Sequence, residues 1–264
     1  LHSWMWGSGD GLVFRPAYLG APKVTIVVPS MVPERAHKAI GDWRALMAKP
    51  AEHDYLIIDN SAVNLGVLAS MQKGYEESRE PIIAYIHDDV EVNEEDWDTR
   101  VEAEFADPSV GVVGFGGALH HGDPDIYKVP YYLQQLGRSF YRSNTDDAES
   151  HGERFTGSCD VAVLDGFALI VRKGLLDKVG KWPVDIMPMH SYDYWFCCIA
   201  HRFGYRVRLV GVRCVHNGGR TSTTPEYIEW LKARYGKTDE EVHQEGHKYL
   251  YDEFCDVLPW RCQP

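Results

Sequence analysis

Two rhythms of apolar and polar positions alternate along the first half of this chain. Val24 to Val28 is a β-branched run closed by Pro29-Ser30, which predicts a buried strand. From Glu34 to Ala48 the residues Ala36, Ile40, Trp43, Leu46 and Met47 fall at helical spacing. Tyr55 to Ile58 predicts a second strand ending in Asp59-Asn60-Ser61, Asn64 to Ser78 a second helix, and Ile82 to Ile86 a third strand ending in His87-Asp88-Asp89. Trp97 to Phe105 reads as a helix and Val110 to Phe115 as a strand. Short strands separated by single helices predict parallel pairing through right-handed crossovers. Open sheets of that kind bind ligands beyond the carboxyl ends of their strands.

The pattern then breaks. Gly116 to Ser158 is rich in Gly, His, Asp and Tyr with little periodicity, and reads as a mobile loop beside a binding site or as a plain surface excursion. Order returns with the apolar run Val161 to Val171, interrupted by Asp165-Gly166. Trp195, Phe196, Ile199 and Phe203 mark one face of a helix that stops at Gly204, and Tyr205, Val207 and Leu209 alternate as a strand leading to His216. Pro225 to Tyr235 and Asp239 to Phe254 predict two tail helices. These boundaries divide the chain into a lead-in (1–22), a core unit (23–220) and a helical C-terminal extension (221–264).

Composition narrows the class. At 264 residues, with 44% hydrophobic and 25% charged positions, the chain suits one large soluble domain or a core with an appendage. No apolar run approaches the roughly 18 residues of a membrane span, and residues 1–11 lack the basic and apolar regions of a signal peptide. Lys and Arg number 27 against 39 Asp and Glu, and the formal charge of -12 disfavours nucleic acid as a partner. A local basic patch at Arg202, Arg206, Arg208 and Arg213 is conceivable, but the solvated faces of a helix and strands explain these residues more simply. The six cysteines contain no CxxC pair, which argues against zinc. Cys197 and Cys198 read as buried thiols and only Cys255 and Cys262 are placed for a disulfide, so the balance favours a reducing, cytoplasmic compartment.

Candidate chemistry sits at the strand ends. His87-Asp88-Asp89 offers carboxylates of the kind that magnesium and manganese favour, although acidic pairs after strands also serve as loop caps. Asp193 opens a helix after His190-Ser191-Tyr192, where a carboxylate could accept a proton or simply act as a favourable first-turn charge. His216 stands before Asn217-Gly218-Gly219 at a strand end, as a further ligand or an ordinary surface histidine.

Five stretches in order carry a family resemblance: Val24-Thr25-Ile26-Val27-Val28-Pro29, Leu56-Ile57-Ile58-Asp59-Asn60-Ser61, His87-Asp88-Asp89-Val90, Asp165-Gly166-Phe167, and Tyr192-Asp193-Tyr194 continuing to Gly204-Tyr205-Arg206-Val207. From about Lys23 to Gly219 the chain resembles the inverting glycosyltransferases of the GT-A fold, in the large family 2-like group, and looks most like the branch whose metal motif begins with His. The resemblance implies an α/β, Rossmann-like, mostly parallel sheet flanked by helices, with a donor-binding half (23–115) and an acceptor-binding half (116–220). It implies that Pro29, Ser30 and Arg35 line the nucleoside pocket with Asn60, that Asp59 bonds the base, and that Asp88 approaches the ribose or diphosphate. Asp89 and His216 would hold Mn2+ or Mg2+. Asp165, Gly166, His190 and Tyr192 would border the acceptor, a carbohydrate or glycoconjugate, and Asp193 would be the catalytic base. Two positions depart from the pattern: His87 where many relatives have Asp, and Tyr192 where many have Glu.

Other readings compete. A sugar nucleotidyltransferase would need a glycine-rich basic loop after the first strand, where Pro29-Ser30-Met31-Val32-Pro33 stands instead, and Gly7-Ser8-Gly9-Asp10-Gly11 precedes that strand. A non-catalytic carbohydrate-binding module could use Tyr131, Tyr132, Tyr141, Trp182, Trp195 and Trp230 as stacking surfaces. A glycosyltransferase acting on hydroxymethylated DNA keeps the chemistry but must overcome the acidic balance.

Overall fold

The structure, a computed structural model, describes residues 23–123, 137–143, 154–218, 221 and 224–263; the lead-in 1–22 lies outside the described residues. In the first half, β1 (Val24–Ser30), α1 (Pro33–Ala45), β2 (Asp54–Asp59), α2 (Val67–Glu77) and β3 (Ile82–Ile86) follow the expected alternation. Pro33 opens α1 at a position whose missing N–H costs nothing, and the helix buries Ala36, Ala39, Ile40 and Trp43. Helix α2 begins at Val67 rather than Asn64. The Asn64 side chain accepts a bond from the Gly66 amide at 2.9 Å, and Gly66 adopts φ 85°, so a turn occupies the expected first residues.

After β3 come β4 (Val90–Val92), α3 (Trp97–Phe105), β5 (Val110–Gly114), β6 (Gly116–Asp123) and β7 (Gly137–Ser143). The second half holds β8 (Ser158–Asp160), β9 (Val163–Leu164), β10 (Ala168–Arg172), α4 (Lys173–Leu176), α5 (Tyr192–Arg202), β11 (Arg206–Val210) and β12 (Cys214–His216). The tail supplies α6 (Pro225–Tyr235), α7 (Asp239–Glu253) and β13 (Trp260–Arg261).

The central sheet runs β2-β1-β3-β10-β5-β11-β8. β1 pairs in parallel with β2 and β3, and β5 with β11, as the crossovers require. β10 departs from the expectation of parallel pairing: it lies antiparallel between β3 and β5, and β8 lies antiparallel on β11. A turn at Asp165-Gly166 splits the apolar run of 161–171 and sends β10 back along β3.

The segment read as a loop also needs correction. Residues 116–123 and 137–143 form the antiparallel pair β6–β7, joined by β13 and β9 in a second sheet. Glycine and histidine hid these strands from a β-branched pattern search. Residues 124–136, with Tyr131 and Tyr132, lie outside the described residues, as does the side chain of Tyr141.

Successive strand residues point to opposite faces, and each face of the central sheet has its own core. One gathers Val27, Tyr85, Leu169, Trp195 and Phe196; the other gathers Ile26, Ala84, Ile170, Trp43, Trp97 and Phe115. Leu250 and Phe254 of the tail belong to the first core. Trp182 and Trp195 are buried there too, which removes them as stacking surfaces for a sugar. The four arginines are all paired with carboxylates: Arg202 with Glu253 and Asp256, Arg206 with Asp107 and Asp160, Arg208 with Glu104 and Asp160, and Arg213 with Glu94. Cys197 and Cys198 are buried free thiols, and Cys255 and Cys262 are also free rather than bridged. Among the described residues no helix is long and apolar enough to cross a membrane.

Gly74 of α2 tests how tightly the first core is packed. A Cβ there would meet Val27 Cγ1 of β1 at 2.5 Å. Alanine gains roughly 0.5–1 kcal/mol in helix preference, but overpacking against a stiff β-branched side chain costs ~1–3 kcal/mol. Gly74→Ala is therefore expected to lower the urea midpoint, and a raised midpoint would show the contact to be soft.

Candidate active site

A cleft of about 440 Å³ opens at the carboxyl ends of β1 and β3 and is closed from the other side by the start of α5 and by the tail. On its first wall, Asp88 is held in place. The Ser30 hydroxyl donates to its Oδ2, and the Arg35 guanidinium lies 2.9 Å from its Oδ1. Pro29, Ser30, Arg35, Asn60 and Asp88 all line the cleft. Asn60 is itself buried and tied down, its backbone N–H donating to Ser30 O at 2.8 Å and its side chain to Ser70 Oγ at 2.8 Å. Asp59 is not brought into the lining. It is exposed at the last position of β2 with its carboxylate on Ser61, whose hydroxyl and backbone N–H hold it below the ordinary carboxylate range.

The deepest feature is a triad from two strand ends. β12 pairs antiparallel with β4, setting His216 opposite Val90 and so beside Asp89, and the Asn217 N–H closes the ladder on Asp89 O at 2.8 Å. Asp89 Oδ1 lies 3.5 Å from His216 Nε2 and 4.0 Å from His87 Nδ1, too far for firm hydrogen bonds, and it is buried without a hydrogen-bond partner. One ligand atom from each of His87, Asp89 and His216 lies within 4.8 Å of the others. A hard cation about 2 Å from each ligand holds those ligands roughly 3–4 Å apart, a range that includes the 3.5 and 4.0 Å from Asp89 to the two rings.

Gly218 supports the same conclusion by what it leaves out. A Cβ there would fall 2.1 Å from Asp89 Oδ2 and 2.7 Å from His216 Nε2, so a side chain would fill the mouth of the triad. The electrostatics are compatible with a cation. Burial pushes the Asp89 carboxyl up, but the His216 and His87 rings and the Arg35 charge more than offset it, leaving it below its ordinary value. Burial, aided by His216, lowers His87 and favours its neutral, ligating form.

Across the cleft, Asp193 sits in the first turn of α5, half-buried, with its Oδ1 accepting from the Tyr194 N–H at 3.0 Å. Asp165, Gly166, His190 and Tyr192 also line this side. Tyr192 is buried, with its phenol held well above its ordinary value by burial, and its hydroxyl is 2.8 Å from His87 Nε2. His190 Nε2 is 2.6 Å from Asp239 Oδ1, a carboxylate that also accepts from the Tyr227 hydroxyl at 2.5 Å. The His190 ring stacks on His243 of α7, with centroids 4.8 Å apart, and His243 and Thr221 complete the wall.

No family model matches this chain, and no curated protein matches it in sequence. Solved structures do match in shape. A mannosyltransferase from Pyrobaculum calidifontis, solved with GDP-Man and Mn2+, superposes with a TM-score of 0.50 at 17% identity, over 90% of this chain and 71% of that one. GalNAc-T7, solved with UDP, GalNAc and Mn2+, gives a TM-score of 0.55 at 11% identity, over 91% of this chain and 58% of that one. This chain has the GT-A fold. Within that GT-A frame, the expected metal pair Asp89 and His216 is joined by His87, whose part in the site the sequence left open. Sequence reasoning passed over Gly218, although a glycine two residues from a candidate ligand was a usable signal. It gave no sign of His243 or Asp239, which reach the cleft only through the packing of the tail.

If Gly218 keeps the triad open, Gly218→Ala should weaken Mn2+ binding on the order of 10- to 100-fold. Gly180→Ala, where a Cβ meets nothing within 4 Å, should leave it unchanged. Calorimetric titration with Mn2+ compares the two, and equal affinities would show that the added methyl is accommodated.

Proposed function

We propose that this protein is a metal-dependent glycosyltransferase that moves a sugar from a nucleoside diphosphate to an acceptor hydroxyl with inversion, in the manner of the family 2-like group. The observation that carries the reading is the triad of Asp89, His216 and His87 facing Asp193 across one cleft. The two similar structures with TM-scores of 0.50 and 0.55 hold GDP-Man with Mn2+ and UDP with GalNAc and Mn2+, which supports a nucleotide-sugar donor. One carboxylate and two imidazoles suit manganese better than magnesium, which prefers oxygen ligands. A cation held there supplies positive charge to the departing diphosphate.

The chain's own residues divide the rest of the work. Residues 23–115 supply the donor side: Pro29, Ser30, Arg35 and Asn60 border the nucleoside, Asp88 faces the ribose or diphosphate, and Asp59 reaches the base from the rim. Residues 116–220 supply the acceptor side at Asp165, Gly166, His190 and Tyr192, and the extension 221–264 backs it with His243. Asp193 takes the proton of the acceptor hydroxyl as its oxygen bonds to the anomeric carbon. The bond from that carbon to the diphosphate breaks on the opposite face, and the nucleoside diphosphate leaves. The acceptor is a carbohydrate or glycoconjugate.

Asp193 lies in the first turn of α5, where the macrodipole favours a carboxylate. A positioned base contributes on the order of 10²–10⁴ in rate, so Asp193→Asn should lose that factor while keeping Mn2+ and donor binding. The test is transfer from a panel of nucleotide sugars with Mn2+, with the product anomer read by NMR coupling. A retained anomer, near-normal turnover in Asp193→Asn or full activity in excess chelator overturns the reading.

Asp59 acts on the donor alone in this scheme. Asp59→Ala should raise the donor KM much more than it lowers kcat, and the reverse pattern in steady-state kinetics removes it from the base-binding rim.

A further inference from the structure

The two ring nitrogens of His87 face different neighbours. Nδ1 is 4.0 Å from Asp89 Oδ1, on the cation side, while Nε2 is 2.8 Å from the Tyr192 hydroxyl. A nitrogen that ligates a cation presents its lone pair, which leaves the ring proton on the other nitrogen. With Nδ1 turned to the cation, Nε2–H donates to the phenol oxygen. The phenol in turn has no room to leave. A Cβ on Gly166, in the turn before β10, would lie 2.5 Å from the Tyr192 hydroxyl oxygen and 2.8 Å from its ring carbons Cε2 and Cζ. The tyrosine is seated in a space that only glycine provides.

We propose that Tyr192 is a positioning residue of the cation site. Its phenol sets the tautomer and ring orientation of His87, and so ties the first turn of α5, which carries Asp193, to the cation. This rests on the cation reading above and adds to it the group that joins the two sides of the cleft. The tie is reciprocal: whatever Tyr192 contributes to cation affinity, a bound cation contributes to holding the start of α5.

The test is a Mn2+ titration of the full chain by calorimetry in four forms: wild type, Tyr192→Phe, His87→Ala and the double variant. Phenylalanine keeps the ring and removes only the hydroxyl, and thermal unfolding without cation checks that each form is folded. Outer ligand partners typically contribute 10- to 100-fold to metal affinity. Tyr192→Phe should therefore weaken Mn2+ binding by that factor in the wild type and by nothing in His87→Ala, where no ring remains to orient. An unchanged affinity in Tyr192→Phe overturns the proposal, as does an equal loss in both backgrounds, which would mark a general structural role. A wild type that binds no Mn2+ overturns the cation site itself, an outcome distinct from a wild type that binds Mn2+ with or without the phenol.

Discussion

The candidate centre hangs on a ladder only three residue pairs long, in which β12 meets β4. Nothing local to Asp89 or His216 brings them together; the ladder does, by setting His216 opposite Val90. The core in turn holds the ladder. Val90 and Val92 are buried with Trp97, Phe115 and Cys214, and the Trp43 indole N–H donates to Val90 O at 2.9 Å. Trp43 stands edge-on to Trp97 with centroids 4.8 Å apart, so two helices brace the strand that carries the site. Aromatic packing from α1 and α3 thus fixes the strand on which Asp89 and His216 meet.

The cleft wall built by β1 and β3 was largely legible from the residues. Runs such as Ile82–Ile86 are buried on both faces, and such runs announce themselves by composition alone. Their polar endings, Pro29-Ser30 and His87-Asp88-Asp89, fell in the cleft because open sheets expose ligand-binding groups at carboxyl ends. Asp59, at the end of the edge strand β2, stays outside the lining with its carboxylate on Ser61.

The opposite wall, at the start of α5, was legible in its residues but not in its partners. Asp193, His190 and Tyr192 line the cleft as expected, yet Tyr192 spends its hydroxyl on His87 and His190 is held by Asp239 from the tail. Such pairings join positions far apart in the chain, and no periodicity encodes them. The tail helices were legible as helices, but not where they pack. They have ordinary amphipathic spacing, which says that they pack but not against what, and Leu250 and Phe254 turn out to lie in the main core.

The antiparallel strand β10 sits between β3 and β5, two strands of the first half of the chain. Residues 23–115 therefore cannot complete a sheet alone. Until residues 168–172 arrive, β3 and β5 each keep an unpaired backbone edge, and their side chains are apolar on both faces. A polypeptide cut after residue 115 would leave β3 open on one edge and β5, which also loses β11, on both, and open hydrophobic edges recruit other chains. Residues 23–115 and 116–220 are thus interleaved in one sheet, and a cut between them would open the first part at its centre.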